Sequence, residues 1–255
     1  MGEFSAGKST LANLLLGCTA SPVMATPTQL PPVWYRAGDG CHYINADNEE
    51  VPLDFSRVNE LSPNDARVVF AHLEARILEI AELIDFPGSS DPNMDFESWE
   101  MLFPQIDMVF WCTPANQAWR QSEAALWEEM PEKLRKRSAL LVTRMDQVTS
   151  ESERMRLLRR IEIEAAPEFA SVLPVSLVGS PDATGGGLEG VTGILDLIQR
   201  WCTEIDAEAR LEERAPLDFK PVPRPPARTP TRPLRPLVPG AIVPRRVFPV
   251  SSSRG

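Results

Sequence analysis

The residues most able to do chemistry come first in the chain. Gly2-Glu3-Phe4-Ser5-Ala6-Gly7-Lys8-Ser9 fits G-x-x-x-x-G-K-[ST], with Thr10 and the apolar run Leu11, Leu14 and Leu15 directly behind it. Such a loop cradles phosphate. Its glycines let successive backbone N–H groups converge on phosphate oxygens, and a helix starting at the lysine adds the partial positive charge of its N-terminus. Lys8 then reaches the terminal phosphates, and the Ser9 hydroxyl is placed for Mg2+, a small cation that prefers a few protein oxygens plus phosphate and water.

A loop of this kind ordinarily hangs from the C-terminal end of a buried parallel strand. Only Met1 stands before Gly2. A strand of about six apolar residues is therefore expected upstream of Met1. The other reading is an N-terminally clipped and impaired member of its class.

Around the loop, apolar segments alternate between helical and strand character, as a parallel α/β sheet requires. Ser9 to Leu16 reads as a helix stopped by Gly17, and Val33 to Arg36 as a strand. The stretch Ala66 to Ile77 fits helix or strand equally. An apolar run ends at Asp85, and Ile106 to Cys112, Ser138 to Thr143 and Val172 to Ser176 read as buried strands. Helices are expected over Ala118 to Arg137, Ser150 to Ala165 and Leu188 to Arg214, the last with apolar residues at helical spacing. The fold expected is α/β: a three-layer P-loop NTPase fold with a mostly parallel central sheet, apparently without its first strand.

Composition divides the chain of 255 residues in two, a folded part over 1–215 and a tail over 216–255. The tail is Pro- and Arg-rich with few large apolar residues, and cannot repay the entropy of ordering. It carries Arg224, Arg228, Arg232, Arg235, Arg245 and Arg246 against Asp218, while the whole chain has a net charge of −10. The folded part is thus distinctly acidic, which argues against nucleic acid as a partner. Its Pro230-Thr-Arg-Pro233 and Pro233-Leu-Arg-Pro236 segments suit either a docking sequence, for a partner protein or an anionic membrane, or a passive solubilising tail. Cys18, Cys41, Cys112 and Cys202 are scattered away from His42 and His72, which speaks against zinc and for free thiols in a reducing cytosol. The expected location is cytoplasmic, with room for peripheral contact with a membrane.

Three later segments lie at the ends of the expected strands. Asp85-Phe86-Pro87-Gly88 resembles the D-x-x-G element of GTPases, in which the Asp holds the Mg2+ shell and the Gly amide meets the γ-phosphate; it also reads as a plain strand exit. Thr143-Arg144-Met145-Asp146 resembles the [NT]-K-x-D element, whose carboxylate accepts from two guanine donors. Val175-Ser176-Leu177 resembles the S-A-[KL] element, whose amide caps the guanine oxygen.

With the opening Gly2 to Gly17 and the Thr26-Pro27-Thr28 triplet, these segments resemble the G domain of bacterial dynamin-like GTPases over about residues 1–210. The resemblance implies a Mg2+-dependent GTPase in which Thr28, or else Thr26, closes on the metal and the γ-phosphate. It also implies a role for Ser5 when two G domains face each other across the nucleotide. Catalytic roles would then fall to Lys8, Ser9, Thr28 and Ser5, and metal binding to Ser9, Thr28 and Asp85. Nucleotide contacts would come from residues Gly2 to Thr10 together with Asp85, Gly88, Thr143, Arg144, Asp146 and Ser176. Three departures stand out. Arg144 replaces the commoner lysine, Ser89 and Ser90 stand where small GTPases place a water-orienting glutamine, and the Pro/Arg tail takes the place of a helical stalk. The alternative is a hydrolysis-deficient guanine-nucleotide-binding module whose tail recruits a partner.

Overall fold

The computed structural model describes residues 1–21, 30–88, 97–177 and 190–209. The tail, the segment with Thr26 and Thr28, and the pair Ser89 and Ser90 lie outside the described residues.

Helix α1 covers Lys8–Leu16, between two glycines in left-handed conformation, Gly7 at φ 89° and Gly17 at φ 70°. Glycine reaches such angles without the penalty a side chain carries, so the helix starts and stops where those residues stand. Strands β1 (Val33–Ala37), β2 (Gly40–Asn45), β3 (Glu50–Pro52), β4 (Ala66–Leu73) and β5 (Leu83–Asp85) form one sheet in the order β3-β2-β4-β1-β5. Strands β6 (Val109–Pro114), β7 (Ser138–Thr143) and β8 (Ser171–Pro174) form a second, wholly parallel sheet. The first sheet is mixed: β1 runs parallel to β4, and β1–β5, β2–β3 and β2–β4 are antiparallel.

Every residue of β7 is buried. Its two faces serve different cores, as a strand's period of two demands. Leu140 and Val142 pack with Trp111, Trp127, Leu134 and Ile161, whereas Ala139 and Leu141 pack with Leu11, Leu15, Ile194 and Ile198. Helices α3 (Gln121–Glu128), α4 (Glu132–Lys136) and α5 (Glu151–Glu164) therefore cover one face, and α1 and α6 (Val191–Ala209) the other. A short helix α2 (Glu97–Glu100) brings Trp99 onto the α3 side. Three layers result, as expected.

The differences from the sequence reading are local. Ala118 to Arg137 is two helices rather than one, because Pro131 lacks the N–H a continuing helix needs and caps α4 instead. The undecided stretch at Ala66 is strand β4 followed by a 3-10 turn over Arg76–Glu79. The β2–β3 hairpin went unrecognised. Among the described residues no helix is long and apolar enough to cross a membrane, no cluster of His, Cys, Asp and Glu could hold a metal by itself, and all four cysteines are free thiols.

Candidate functional site

The loop before α1 is fixed by β6. Cys112 donates its amide to the Met1 carbonyl at 2.9 Å, and Gly2 bridges to Cys112 in parallel fashion. Gly2 sits at φ 127°, and a Cβ there would lie 2.1 Å from the Cys112 oxygen, so only glycine fits this crossing. Ser5 takes a left-handed conformation at φ 59°. The turn then closes with Ala6 donating to the Glu3 carbonyl and Leu11 to the Gly7 carbonyl.

Lys8 opens the helix and bends back to donate from Nζ to the Glu3 carbonyl at 2.7 Å. Burial holds its ammonium below the usual lysine range, with the Asp85 carboxylate acting in the opposite direction. An anion arriving beside this partly buried cation gains accordingly.

Asp85 ends β5, and its carboxylate accepts a short hydrogen bond from the Ser21 hydroxyl. Ser21 is clamped by Asn13 of α1, which donates to the Ser21 carbonyl at 2.8 Å and accepts its amide at 2.6 Å. Three residues after Asp85, Gly88 lies against the loop: a Cβ there would fall 2.7 Å from Phe4 Cα. A cavity of about 160 Å3 collects Ser5, Gly7, Lys8, Ser9, Asp85 and Gly88, with Arg144 at its edge.

The loops after β7 and β8 meet behind this cavity. Thr143, fully buried, donates its hydroxyl to the Ala6 carbonyl at 2.9 Å and so ties the end of β7 to the phosphate loop. Arg144, in left-handed conformation at φ 59°, reaches over the loop and donates to the Ser5 carbonyl at 2.6 Å and the Ser5 hydroxyl at 2.7 Å. Asp146 accepts from the Ser176 hydroxyl at 2.8 Å, and Met145 donates its amide to the Val175 carbonyl at 3.2 Å. Leu177 touches the loop at Gly7. Asp85 and Gly88 thus line one cavity with the loop, Thr143 and Arg144 bond to it, and Asp146 pairs with Ser176.

Glu3 was named with the rest of the loop, but its partners escaped the sequence reading. Glu3 is buried within the loop, where its carboxylate accepts from Arg120 at 3.0 Å and from the Ser122 hydroxyl at 2.8 Å. One residue on, Glu123 is fully buried and accepts from Trp111 Nε1 at 3.0 Å, the Thr113 hydroxyl at 2.9 Å and the Arg120 amide at 3.0 Å. Burial pushes the Glu123 carboxyl upward, the three hydrogen bonds restraining the rise. Together these contacts fasten the start of α3 to β6 on one side and to the phosphate loop on the other.

No protein-family model matches the chain, and no curated protein matches it. Solved structures do. Two from a study of an oligomerised bacterial dynamin pair that senses and tethers membranes superpose with TM-scores of 0.58 and 0.56, at 17% and 18% identity, each over 80% of this chain. Aquifex aeolicus Era bound to GDP and AlF4− matches at a TM-score of 0.48 and 17% identity, over 78% of this chain and 54% of Era. The chain spans about a third of the dynamin structures, 34% and 36% of their lengths. The chain shares the mixed α/β fold of the corresponding part of these bacterial dynamin structures.

Proposed function

We propose that this chain binds guanine nucleotides and hydrolyses GTP to GDP and phosphate. The observation that carries the reading is the tie of Thr143 to the loop that holds Lys8, with Asp146 paired to Ser176 on the segments that follow β7 and β8, and Asp85 and Gly88 lining one cavity with Lys8.

Phosphate recognition falls to the loop amides between Phe4 and Thr10 and to the Lys8 ammonium, which turns from the Glu3 carbonyl to the incoming anion. A charge-assisted contact there outweighs the neutral one it replaces. Guanine recognition falls to the Asp146 carboxylate, whose second oxygen is left for the base while Ser176 holds the first. Guanine is preferred because it brings two donors to that carboxylate, a pair adenine does not offer. Ser9 and Asp85 offer only oxygen donors, one a hydroxyl and one a carboxylate that Ser21 already orients, a set suited to Mg2+ rather than to a softer ion. When bound, that ion would neutralise charge on the phosphates. Thr28 is proposed as the residue that closes on the γ-phosphate side. With Asp85 assigned to the ion, hydrolysis rests on positioning and charge neutralisation, and no side chain is given the role of general base.

Ser5 is held by Arg144 from above. We assign it to the face that a second G domain would meet, with turnover slow in the monomer and faster on pairing. A cytoplasmic location, and recruitment of a partner protein or an anionic membrane through residues 216–255, belong to the same proposal.

Calorimetry with GDP, GTP and ATP, followed by multiple-turnover phosphate release, tests the reading. Guanine nucleotides should bind at least tenfold more tightly than ATP. Asp146→Asn should reverse the preference towards xanthine nucleotides, because its amide now offers a donor. Equal affinity of the unaltered chain for ATP and GTP refutes the guanine assignment, and selective binding without phosphate release leaves a binding module in place of an enzyme.

A further inference from the structure

The grip on Asp85 comes from a residue outside every motif of the sequence. Ser21 is buried and lines the same cavity as Lys8, Ser9 and Asp85. Its hydroxyl proton goes to Asp85 Oδ2, and a carboxylate held at one oxygen presents the other in a fixed direction. The seat of Ser21 does not depend on its own side chain, because Asn13 of α1 donates to its carbonyl and accepts its amide. Asn13 stands four residues after Ser9, and residues so spaced share one helix face. That face of α1 thus carries the Ser9 hydroxyl and, through Asn13 and Ser21, the hold on Asp85. Next to Ser21 stands Tyr35 of β1. Tyr35 is fully buried, and among the described residues its hydroxyl has no hydrogen-bond partner of ordinary geometry. Such a group is uncommon in a folded protein and calls for a role. Burial raises its pKa, which keeps its proton in place, with Ser21 beside it acting in the opposite direction. The Ser21 oxygen, its own proton committed to Asp85, has lone pairs left to accept.

We propose that Ser21, seated by Asn13 and backed by the Tyr35 hydroxyl, is a positioning residue that sets the Asp85 carboxylate against Ser9 for a divalent cation, and that this setting favours Mg2+ over Ca2+. The proposal rests on the reading of the cavity as a site for nucleotide and metal. Protons run in one direction, from Tyr35 to Ser21 and from Ser21 to Asp85, each hydroxyl donating once. Groups that orient a metal ligand in this way tune affinity without touching the ion. Selectivity follows from the difference between the two ions. Mg2+ demands near-ideal octahedral geometry, whereas Ca2+ accepts flexible and irregular sets of oxygens. A carboxylate released by Ser21 still offers its charge to either ion but no longer offers a direction, so the loss falls on Mg2+. A hydroxyl that only satisfied a partly buried carboxylate would affect both ions alike, and stability with them.

The full chain is loaded with a fluorescent GDP, and its release is followed against Mg2+ or Ca2+ concentration for the parent, Ser21→Ala, Ser21→Thr and Tyr35→Phe. Thermal melts of the nucleotide-free proteins run alongside. In Ser21→Ala the Mg2+ concentration that half-maximally slows release should rise about tenfold or more, while the Ca2+ midpoint moves by less than about threefold. Ser21→Thr keeps the hydroxyl and should restore the parent's Mg2+ midpoint. Tyr35→Phe should move the Mg2+ midpoint in the same direction as Ser21→Ala without lowering Tm, and it carries the test if Ser21→Ala does not fold. Equal shifts for the two ions, or a Mg2+ midpoint unchanged in Ser21→Ala or, failing its folding, in Tyr35→Phe, overturn the proposal and leave the nucleotide reading standing. A parent that does not retain GDP, or retains it regardless of Mg2+, overturns that reading and the proposal with it.

Discussion

Substituting Gly88 with alanine tests whether the D-x-x-G segment is mechanically part of the phosphate loop. The added Cβ would stand 2.7 Å from Phe4 Cα and 2.8 Å from Phe4 N. Ordinary contact between such atoms begins near 3.5 Å, so one backbone must retreat by roughly 0.7 Å or more. Neither is a flexible side-chain end that could swing away. Over-filling of this kind costs about 1–3 kcal/mol, which in a domain of this size lowers Tm by roughly 2–4 °C per kcal/mol. Displacement of the loop by that distance should cost nucleotide affinity as well, about tenfold or more, because the amides no longer point at one place. Gly17→Ala is the control. Its Cβ meets nothing within 4 Å, yet Gly17 sits at φ 70°. That variant pays only backbone strain, about 1 kcal/mol, and keeps its nucleotide affinity. Urea unfolding gives the stabilities and fluorescence titration with a labelled GDP gives the affinities. If Gly88→Ala binds GDP as well as Gly17→Ala does, the segment is a strand exit and no part of the site.

Other perturbations follow from the same contacts. Lys8→Met should lower triphosphate affinity by roughly 100-fold, a charge-assisted contact being worth about 2–3 kcal/mol, and should raise the Tm of the nucleotide-free protein by relieving a buried charge; calorimetry and thermal melts check the two halves. Because the Glu123 carboxyl titrates above the ordinary glutamate value, its contribution to stability is complete below that value and declines as pH rises through the folded-state pKa. Glu123→Gln should flatten this decline, so the stability gap between the parent and the variant narrows from pH 4 upwards in urea titrations. Arg120→Ala leaves the Glu3 carboxylate with the Ser122 hydroxyl alone, and should weaken GDP binding several-fold while moving Tm by no more than a few degrees.

How far the sequence disclosed this arrangement depended on how locally each feature is encoded. Strand β7 was found to the residue because it is buried on both faces and reads as an apolar run, Ala139 to Val142, between Ser138 and Thr143. The same two-sided burial in Val68 to Ala71 of β4 erased the alternation that would have separated strand from helix. The β2–β3 hairpin mixes exposed and half-buried residues without a stripe of its own, so it carried no signal. Within the candidate site, the loop, Asp85, Thr143 and Asp146 could be singled out from the sequence because the proposed chemistry would require particular residue types at fixed spacing. The link from Glu3 to Arg120 joins positions 117 apart. Its one clue was an acidic residue inside an anion-binding loop, where a carboxylate needs a cation to offset it.

The long reach of the phosphate loop also sets the order in which the chain can assemble. Its ties run from Met1 to Phe110, from Thr143 to Ala6 and from Arg144 to Ser5, across separations of 109, 137 and 139 residues. During synthesis the loop leaves the ribosome well before the segments that shape it, which lie more than a hundred residues further on. At roughly 5–20 residues per second, the nascent loop waits on the order of ten seconds or more for them. Closing such distant pairs comes late in folding, after the entropy of the intervening chain has been spent. Nucleotide capture would therefore report completion of the whole domain, and a protein interrupted before Leu177 would have every residue of the loop and no functioning cradle.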